Sequence, residues 1–459
     1  MKILLIQLPP WDIETLPLGL AYIAGALSNK NYEVKIFDMN IRIYDEMELK
    51  ERNVWKKQDQ LFWEKELLEK YSNLIDKFVE EITSENYDLI GISANIYSVN
   101  ILNYVLKSLK QKTNSKIVVD GGLAFEKNSR LRIFDELIDF FIVDEGEVSI
   151  QYLLNKLESN TPVIENNEFE VWKDKKRDYL ILKSKSKLKP LQIPDPIYEL
   201  FPIDLYEDKH TLPIMFSRGC IRKCAFCSDS PQQFPYRVRN PKNVVKEMKK
   251  HIELFKRNVF RTVDLVMNGN IKFLEELSDL IIENKIKCNW NGQGIIREEM
   301  TPELLMKIRF SGCMSISYGV ESFSDAVLNS MRKGYTSKTA QKVINDTKES
   351  GISVSINLIV GFPGETRENV YETIRVLESL SSHIDLINSL NLCTINKGSS
   401  LHLEPKLFNI SSKEQMLGGN WSTKNKLDLK ERIKRFKILY EACLKLNLKP
   451  KWTNYESVK

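Results

Sequence analysis

The stretch SRGCIRKCAFCSDS, residues 217–230, places three of the chain's seven cysteines, Cys220, Cys224 and Cys227, within eight positions. Several thiolates so close together ligate zinc or an iron–sulfur cluster. Zinc needs a fourth ligand, usually from a second CxxC or a pair of histidines. The four histidines, at 210, 251, 383 and 402, do not stand in ligand spacing with one another. Cys288, Cys313, Cys393 and Cys443 are solitary, in strand or helix contexts where a free cysteine packs as a small apolar side chain. Three thiolates on a cube of four irons leave one iron open, and an open iron can bind a small molecule.

Around this loop, strand and helix patterns alternate from about 212 to 400. The predicted strands are PIMFSRG (213–219), TVDLVM (262–267), KCNWNGQG (287–294), MSISYGVES (314–322), SVSINLIVGF (353–362) and LINSLNL (386–392). Six such units rather than eight predict a partial (β/α)6 barrel, open on one side. Residues 401–459 form a short helical C-terminal segment, with helical spacing at 428–448. Trp290, Asn291, Gln293, Arg297 and Tyr318 are candidates for the barrel mouth, although Trp290 equally suits barrel packing and Arg297 a helix cap.

Residues 1–150 carry another alternation. KILLIQL (2–8), EVKIFDM (33–39), DLIGISA (88–94), KIVVDGG (116–122) and FFIVDEGE (140–147) read as strands, with a helix at 18–30 and one or two more within 45–84. Apolar runs separated by helices predict a parallel sheet covered on both faces, a Rossmann-like domain. Ligands in such sheets sit beyond the carboxyl ends of the strands. Ser93, Gly121, Gly122, Glu145 and Gly146 fall there, and the glycines either admit a large flat ligand or only make turns. Pro9-Pro10, not GxGxxG, follows the first strand, which disfavours a dinucleotide. The proline-rich stretch 151–211 reads as a linker.

Composition narrows the function classes. The 459 residues suffice for two or three domains, and 67 basic against 62 acidic residues leave a net charge of only +5. Lys runs interleaved with Glu and Asp argue against nucleic acid as a partner. No window approaches the ~18 apolar residues of a membrane span, and ILLIQL after Met1-Lys2 is too short for a secretory leader. With an odd, clustered set of cysteines, these features predict a cytoplasmic protein.

The Cys220–Cys224–Cys227 spacing on a loop after the first barrel strand, with Phe226 before the last cysteine, resembles the radical S-adenosylmethionine (SAM) superfamily. The resemblance continues in SYGVESFSDAVLNSMRKGYT (317–336) and INLIVGFPGET (356–366). It implies that the three cysteines hold a [4Fe–4S] cluster whose open iron chelates SAM. It also implies a polar contact from Glu321 to SAM, and backbone along the adenine at Gly361, Pro363 and Gly364. Where many members have Gly-Gly-Glu, this chain has VMNGN (266–270), so Asn268 or Asn270 would have to meet the carboxylate of SAM.

LPPW…TLPLGLAYIAGAL (8–27), GIS (91–93), Gly121-Gly122, EGE (145–147) and PDPIYELFPIDLY (194–206) resemble the cobalamin-dependent branch of that superfamily. Cobalamin domains that ligate cobalt from below use Asp-x-His-x-x-Gly. Here DMNIRI (38–43) puts Asn40 where the His would stand, so no imidazole lies beneath the metal. The expected whole is an α/β chain: a Rossmann-like cobalamin-binding-type domain, a partial (β/α)6 radical SAM barrel and a helical tail. The resemblance implies methylation of an unactivated carbon on a small-molecule or natural-product substrate, with flavodoxin or ferredoxin as electron donor. The alternative is ring formation, rearrangement or oxidation without methyl transfer, with cobalamin absent or not methylating.

Overall fold

Short, unbroken apolar runs build the first sheet, because a strand buried on both faces cannot alternate apolar with polar residues. In β1 (Lys2–Gln7), Ile3, Leu4, Leu5 and Ile6 are all buried, and each such side chain contributes about 1.5–3 kcal/mol on leaving water. The computed structural model describes residues 1–28, 32–57, 62–125, 130, 132–133, 135–173, 179–229, 235–411, 417–425 and 427–455. The chain divides into two units, Met1–Thr211 and Leu212–Lys459. No helix among the described residues is long and apolar enough to cross a membrane.

In the first unit β1 is followed by β2 (Glu33–Asp38), β3 (Leu89–Ser93), β4 (Lys116–Asp120), β5 (Phe140–Val143), β6 (Phe169–Lys173) and β7 (Leu180–Ser184). Their order is β2-β1-β3-β4-β5-β7-β6, parallel except for the antiparallel β6–β7 pair. The first five strands follow the flavodoxin-like doubly wound order, whose switch point lies between β1 and β3. The loops leaving these two strands are tied together, with Leu8 N–H donating to Ser93 O at 3.0 Å and Ser98 Oγ to Pro9 O at 2.8 Å. The insertion after β2 contains helices Arg52–Lys57 and Leu67–Thr83, and Trp55 and Trp63 pack edge to face between them at 4.6 Å.

The linker reading of 151–211 is corrected. β7 pairs with β5, and β6 with β7, so both complete the first sheet. The prolines that follow are packed down: Ile197 N–H donates to Ala21 O, and Tyr198 and Tyr206 are buried. A Cβ on Gly25 would meet Asp195 O at 2.0 Å, so this helix position must be glycine for the segment to cross it.

In the second unit β8 (Thr211–Ile214), β11 (Val259–Thr262), β12 (Asn289–Gly294), β13 (Cys313–Glu321), β14 (Ser353–Val360) and β15 (Leu386–Leu392) form one six-stranded sheet in sequence order. Two short strands, β9 (Ser217–Arg218) and β10 (Arg237–Val238), pair antiparallel beside it. The strand expected at 262–267 ends at Thr262 instead. Beyond it, Val266 and Met267 are buried in a loop, where Met267 N–H bonds Gln293 O. An apolar run reports burial, not extended pairing.

Asp38 caps helix Met39–Glu46 through Ile41 N–H and accepts Tyr206 Oη–H at 2.5 Å. Burial raises its carboxyl to about 6, against the lowering pull of Tyr206 and backbone N–H groups. The folded state thus keeps a proton that the unfolded chain releases from about pH 4, and stability falls as pH rises from there through about 6. Asp38→Asn keeps the cap and should flatten this loss by about 2 kcal/mol. Urea unfolding at acidic and near-neutral pH checks it; a wild-type slope in the variant would contradict the assignment.

Candidate functional site

The cysteine loop begins at a buried carboxylate. Asp264 accepts Phe216 N–H at 3.0 Å, Ser217 Oγ–H at 2.5 Å and Ser217 N–H. Burial lifts its carboxyl to about 6, opposed by these donors. Arg239 donates to Met215 O at 3.1 Å and pairs with Glu247 at 2.7 Å, both side chains 2% exposed. Gly219 then takes a left-handed φ of 85° and turns the chain into the loop.

Cys220, Cys224 and Cys227 form no disulfide and are half-buried, whereas the other four cysteines are buried. Burial pushes the thiols of Cys288, Cys393 and Cys443 up to about 12, which marks them as inert packing. Among the described residues no group of three or more His, Cys, Asp or Glu side chains is placed to hold a metal ion. The loop is fixed by backbone: Ala225 N–H donates to Met331 O at 3.0 Å, and Ala225 O accepts Leu401 N–H at 3.1 Å. Phe226 packs on a core cluster that includes Met331, Phe362 and Trp421.

Glu321 ends β13 with φ +69°, a conformation that costs a non-glycine residue about 1–3 kcal/mol. Its carboxylate is buried beside Lys333, Nζ to Oε1 at 3.4 Å, and Lys333 also donates to Gly319 O at 2.7 Å. Burial raises the Glu321 carboxyl and Lys333 opposes the rise. A Cβ on Gly319 would come within 2.9 Å of Glu321 Oε1, so position 319 must stay bare. Lys333 Nζ lies 5.6 Å over the ring of Phe226, which places the cysteine loop beside this pair. Lys333 was missed by sequence reasoning; it lies in the 317–336 block, but nothing in the spacing pairs it with Glu321.

At the end of β14, Gly361 has φ +79° and donates its N–H to Glu365 Oε1 at 2.9 Å. A Cβ there would strike Arg432 Cγ at 2.7 Å, so the close approach is to a side chain of helix Leu429–Lys445. Gly364, φ +90°, has open space around it, so it and Pro363 serve the turn. Arg432 is wholly buried, donates to Cys393 O and Trp421 O at 2.9 Å, and lies 3.9 Å over the Trp421 ring.

The asparagines expected to meet SAM are corrected. Asn268 exchanges two hydrogen bonds with the backbone of Ile295, at 2.8 and 2.9 Å, and Asn270 caps helix Ile271–Glu283 through Phe273 N–H. Trp290 is buried, as the packing reading has it, and so is Tyr318, while Arg297 is held by the loop carbonyls Asn268 O and Gly269 O.

In the first unit Asn40 is committed to its own chain. The outcome agrees with the absence of an imidazole there: Asn40 is fully buried, accepts Trp11 N–H at 2.8 Å and donates to Asp12 O at 3.1 Å, so it organises the loop after β1. Gly121 has φ +99°, and a Cβ there would meet Ala94 O at 2.5 Å, whereas Gly122 is exposed and open. Glu145 Oε2 accepts Leu188 N–H at 3.1 Å. An apolar cavity between the sheet and helices Leu18–Ser28 and Gly146–Glu158 is walled by Leu5, Ile23, Ile142 and Ile150, with Ser93 and Asp120 as polar members. A Cβ on Gly146 would meet Asp120 Oδ2 and Ile23 Cδ1 at 2.8 Å. Around the switch point Trp11, Ile96 and Tyr97 are more than two-fifths exposed.

Residues 214–377 match the family model described as the radical SAM superfamily. Residues 214–377 thus carry the domain of that superfamily. Radical SAM enzymes hold a [4Fe–4S] cluster and SAM. An uncharacterised methyltransferase of Pyrococcus horikoshii is 26% identical over 482 residues, spanning 98% of this chain and 93% of that relative. Two solved structures share the fold. One is TsrM of Kitasatospora setae, a radical SAM methyltransferase with cobalamin and a [4Fe–4S] cluster bound: TM-score 0.64, 14% identity, 90% of this chain and 76% of that one. The other is OxsB, a cobalamin-dependent radical SAM enzyme with aqua-cobalamin bound: TM-score 0.67, 16% identity, 89% of this chain and 55% of that one. This radical SAM chain therefore spans about half the length of OxsB.

Lys333→Met would strand the buried Glu321 carboxylate and should lower stability by about 3–5 kcal/mol. Adding Glu321→Gln should restore most of it. Thermal unfolding of the single and double variants decides; equal stabilities would mean that the two side chains do not act as a pair.

Proposed function

We propose that this radical SAM enzyme transfers a methyl group to an unactivated carbon of a small molecule and depends on cobalamin. The observation that carries the reading is the join, in one chain, of a three-cysteine loop after the first barrel strand and a doubly wound unit with an apolar cavity beside its strand ends. Cys220, Cys224 and Cys227 would hold the cluster: a soft donor set in which each thiolate takes its own iron, so the sulfurs ring the cube and need not converge on one ion. Glu321, fixed by Lys333, would meet SAM at the strand end, and the backbone at Gly361 would border its adenine.

In the first unit the apolar cavity beside Ser93 and Gly146 would open to take the base of a corrin's nucleotide tail, and Trp11, Ile96 and Tyr97 would offer an apolar surface to the ring. With Asn40 committed to the loop, no side chain at that position would ligate cobalt. When bound, the cluster and SAM supply hydrogen-atom abstraction from carbon, and the corrin supplies the methyl group. An external low-potential donor, flavodoxin or ferredoxin, would supply the electron.

Cys220→Ala, Cys224→Ala and Cys227→Ala should each lose iron and dithionite-driven cleavage of SAM to 5′-deoxyadenosine, while Cys288→Ala, Cys313→Ala and Cys443→Ala keep both. Full cleavage in any of the first three refutes the cluster assignment. Purification with hydroxocobalamin should retain a corrin spectrum, and Ile150→Phe, which fills the cavity, should weaken retention about tenfold with iron content unchanged. A colourless protein that still cleaves SAM would favour radical chemistry without methyl transfer.

A further inference from the structure

Three segments meet around the cysteine loop: 221–229, 331–335 and 396–409. Ala225 joins them, its N–H donating to Met331 O at 3.0 Å and its carbonyl accepting Leu401 N–H at 3.1 Å. Arg332 ties the second segment to the third, donating to Ser400 Oγ at 3.1 Å and lying 5.5 Å over the Phe408 ring. Together the segments carry six Lys and Arg residues against two acidic ones, Asp229 and Glu404. The whole chain has 67 against 62, so this excess is local. Glu404 is paired with Arg332 at 3.5 Å, and Lys333 is buried against Glu321. What faces water is mostly basic, with Lys223, Arg332, Lys397 and Lys406 all exposed.

An apolar knob stands in that basic field. Leu403 ends the short helix Ser400–Leu403, and Leu407 lies on the following turn Pro405–Phe408; they are 66% and 67% exposed. Leu407 N–H donates to Glu404 O at 3.0 Å, and Leu401 is fully buried, so a fixed turn presents them. Apolar side chains ringed by charge of one sign match the centre and rim of a protein interface. Phe408, next to Leu407, packs against the same core cluster as Phe226, which lies between Cys224 and Cys227. The knob is thus one packed layer from the cysteine loop.

We propose that this surface docks an acidic flavodoxin. The proposal rests on the function proposed above, which draws its electron from outside the chain. A flavodoxin shows the apolar, methyl-bearing edge of its flavin within a rim of carboxylates, the complement of two leucines within a rim of lysines. A ferredoxin keeps its cluster beneath backbone loops and offers the leucines no such edge. One electron leaves the partner's reduced flavin, and the cluster, when bound, gains that one electron.

Isothermal calorimetry on the full chain without cluster tests the docking, with an acidic flavodoxin and a ferredoxin as separate probes. Flavodoxin should bind about tenfold more tightly than ferredoxin, and raising salt from about 0.05 to about 0.5 M should weaken it about tenfold. Lys406→Glu and Leu407→Ser should each weaken it about fivefold with unchanged thermal midpoints. Lys287→Glu, before β12 at the other end of the barrel strands, should bind like wild type. In the loaded enzyme the first two substitutions should slow flavodoxin-driven SAM cleavage about fivefold and leave dithionite-driven cleavage unchanged. Absence of flavodoxin binding, equal or tighter binding of ferredoxin, or indifference to both substitutions in folded protein overturns it. Calorimetry needs no cluster, so failure of docking and failure of SAM cleavage are read separately.

Discussion

A carboxylate sealed from water fixes the start of the cysteine loop. Asp264 receives two backbone N–H groups and one hydroxyl from Phe216 and Ser217, immediately after β8 and three residues before Cys220. A buried acceptor of this kind tolerates no loose partner, since each donor lost would leave it unsatisfied. The same bonds explain why the chain beyond Thr262 leaves the sheet: Asp264 turns toward the neighbouring strand end, and Val266 O takes Ser217 Oγ–H as well. The loop geometry and the shortened β11 are one event.

The other buried charges of the second unit follow the same rule. Arg239 is matched by Glu247 and Met215 O, Lys333 by Glu321 and Gly319 O, and Arg432 by carbonyls of Cys393 and Trp421. Burying an ion costs several kcal/mol unless partners surround it, so each is committed to holding a strand end or a loop. Paired charges thereby hold the barrel's rim, while uncharged polar side chains make up most of one strand face. Glu321 joins the two, because its positive φ and the bare Gly319 beside it put a carboxylate where the strand pattern alone would put backbone.

Local signals carried much of this into the sequence. The cysteine spacing and the strand–helix alternation of both halves are short-range patterns, and four of the six barrel strands lie within two residues of where their pattern placed them, while the first, expected at 213–219, ends at Ile214. What escaped was tertiary. Nothing local shows that Phe169–Lys173 and Leu180–Ser184 join β5, that Val266 and Met267 are buried without pairing, or that Asn268 is used by Ile295. Glycines were legible as special positions but not by cause: Gly361 yields to Arg432, 71 residues away, while Gly364 faces open space.

Asn40 shows how one position can separate two designs. An imidazole there would point a ligand out of the sheet; the amide instead turns inward, taking Trp11 N–H and giving to Asp12 O. Both of its hydrogen-bonding functions are used, and the loop after β1 is thereby pinned at the switch point, where Asn95 and Ser98 bind it from the other side. The gain is a rigid platform with Trp11 turned to solvent beside the loop that carries Ile96 and Tyr97. On the function proposed, a corrin would be held by its apolar surface and its tail rather than by a bond to the metal.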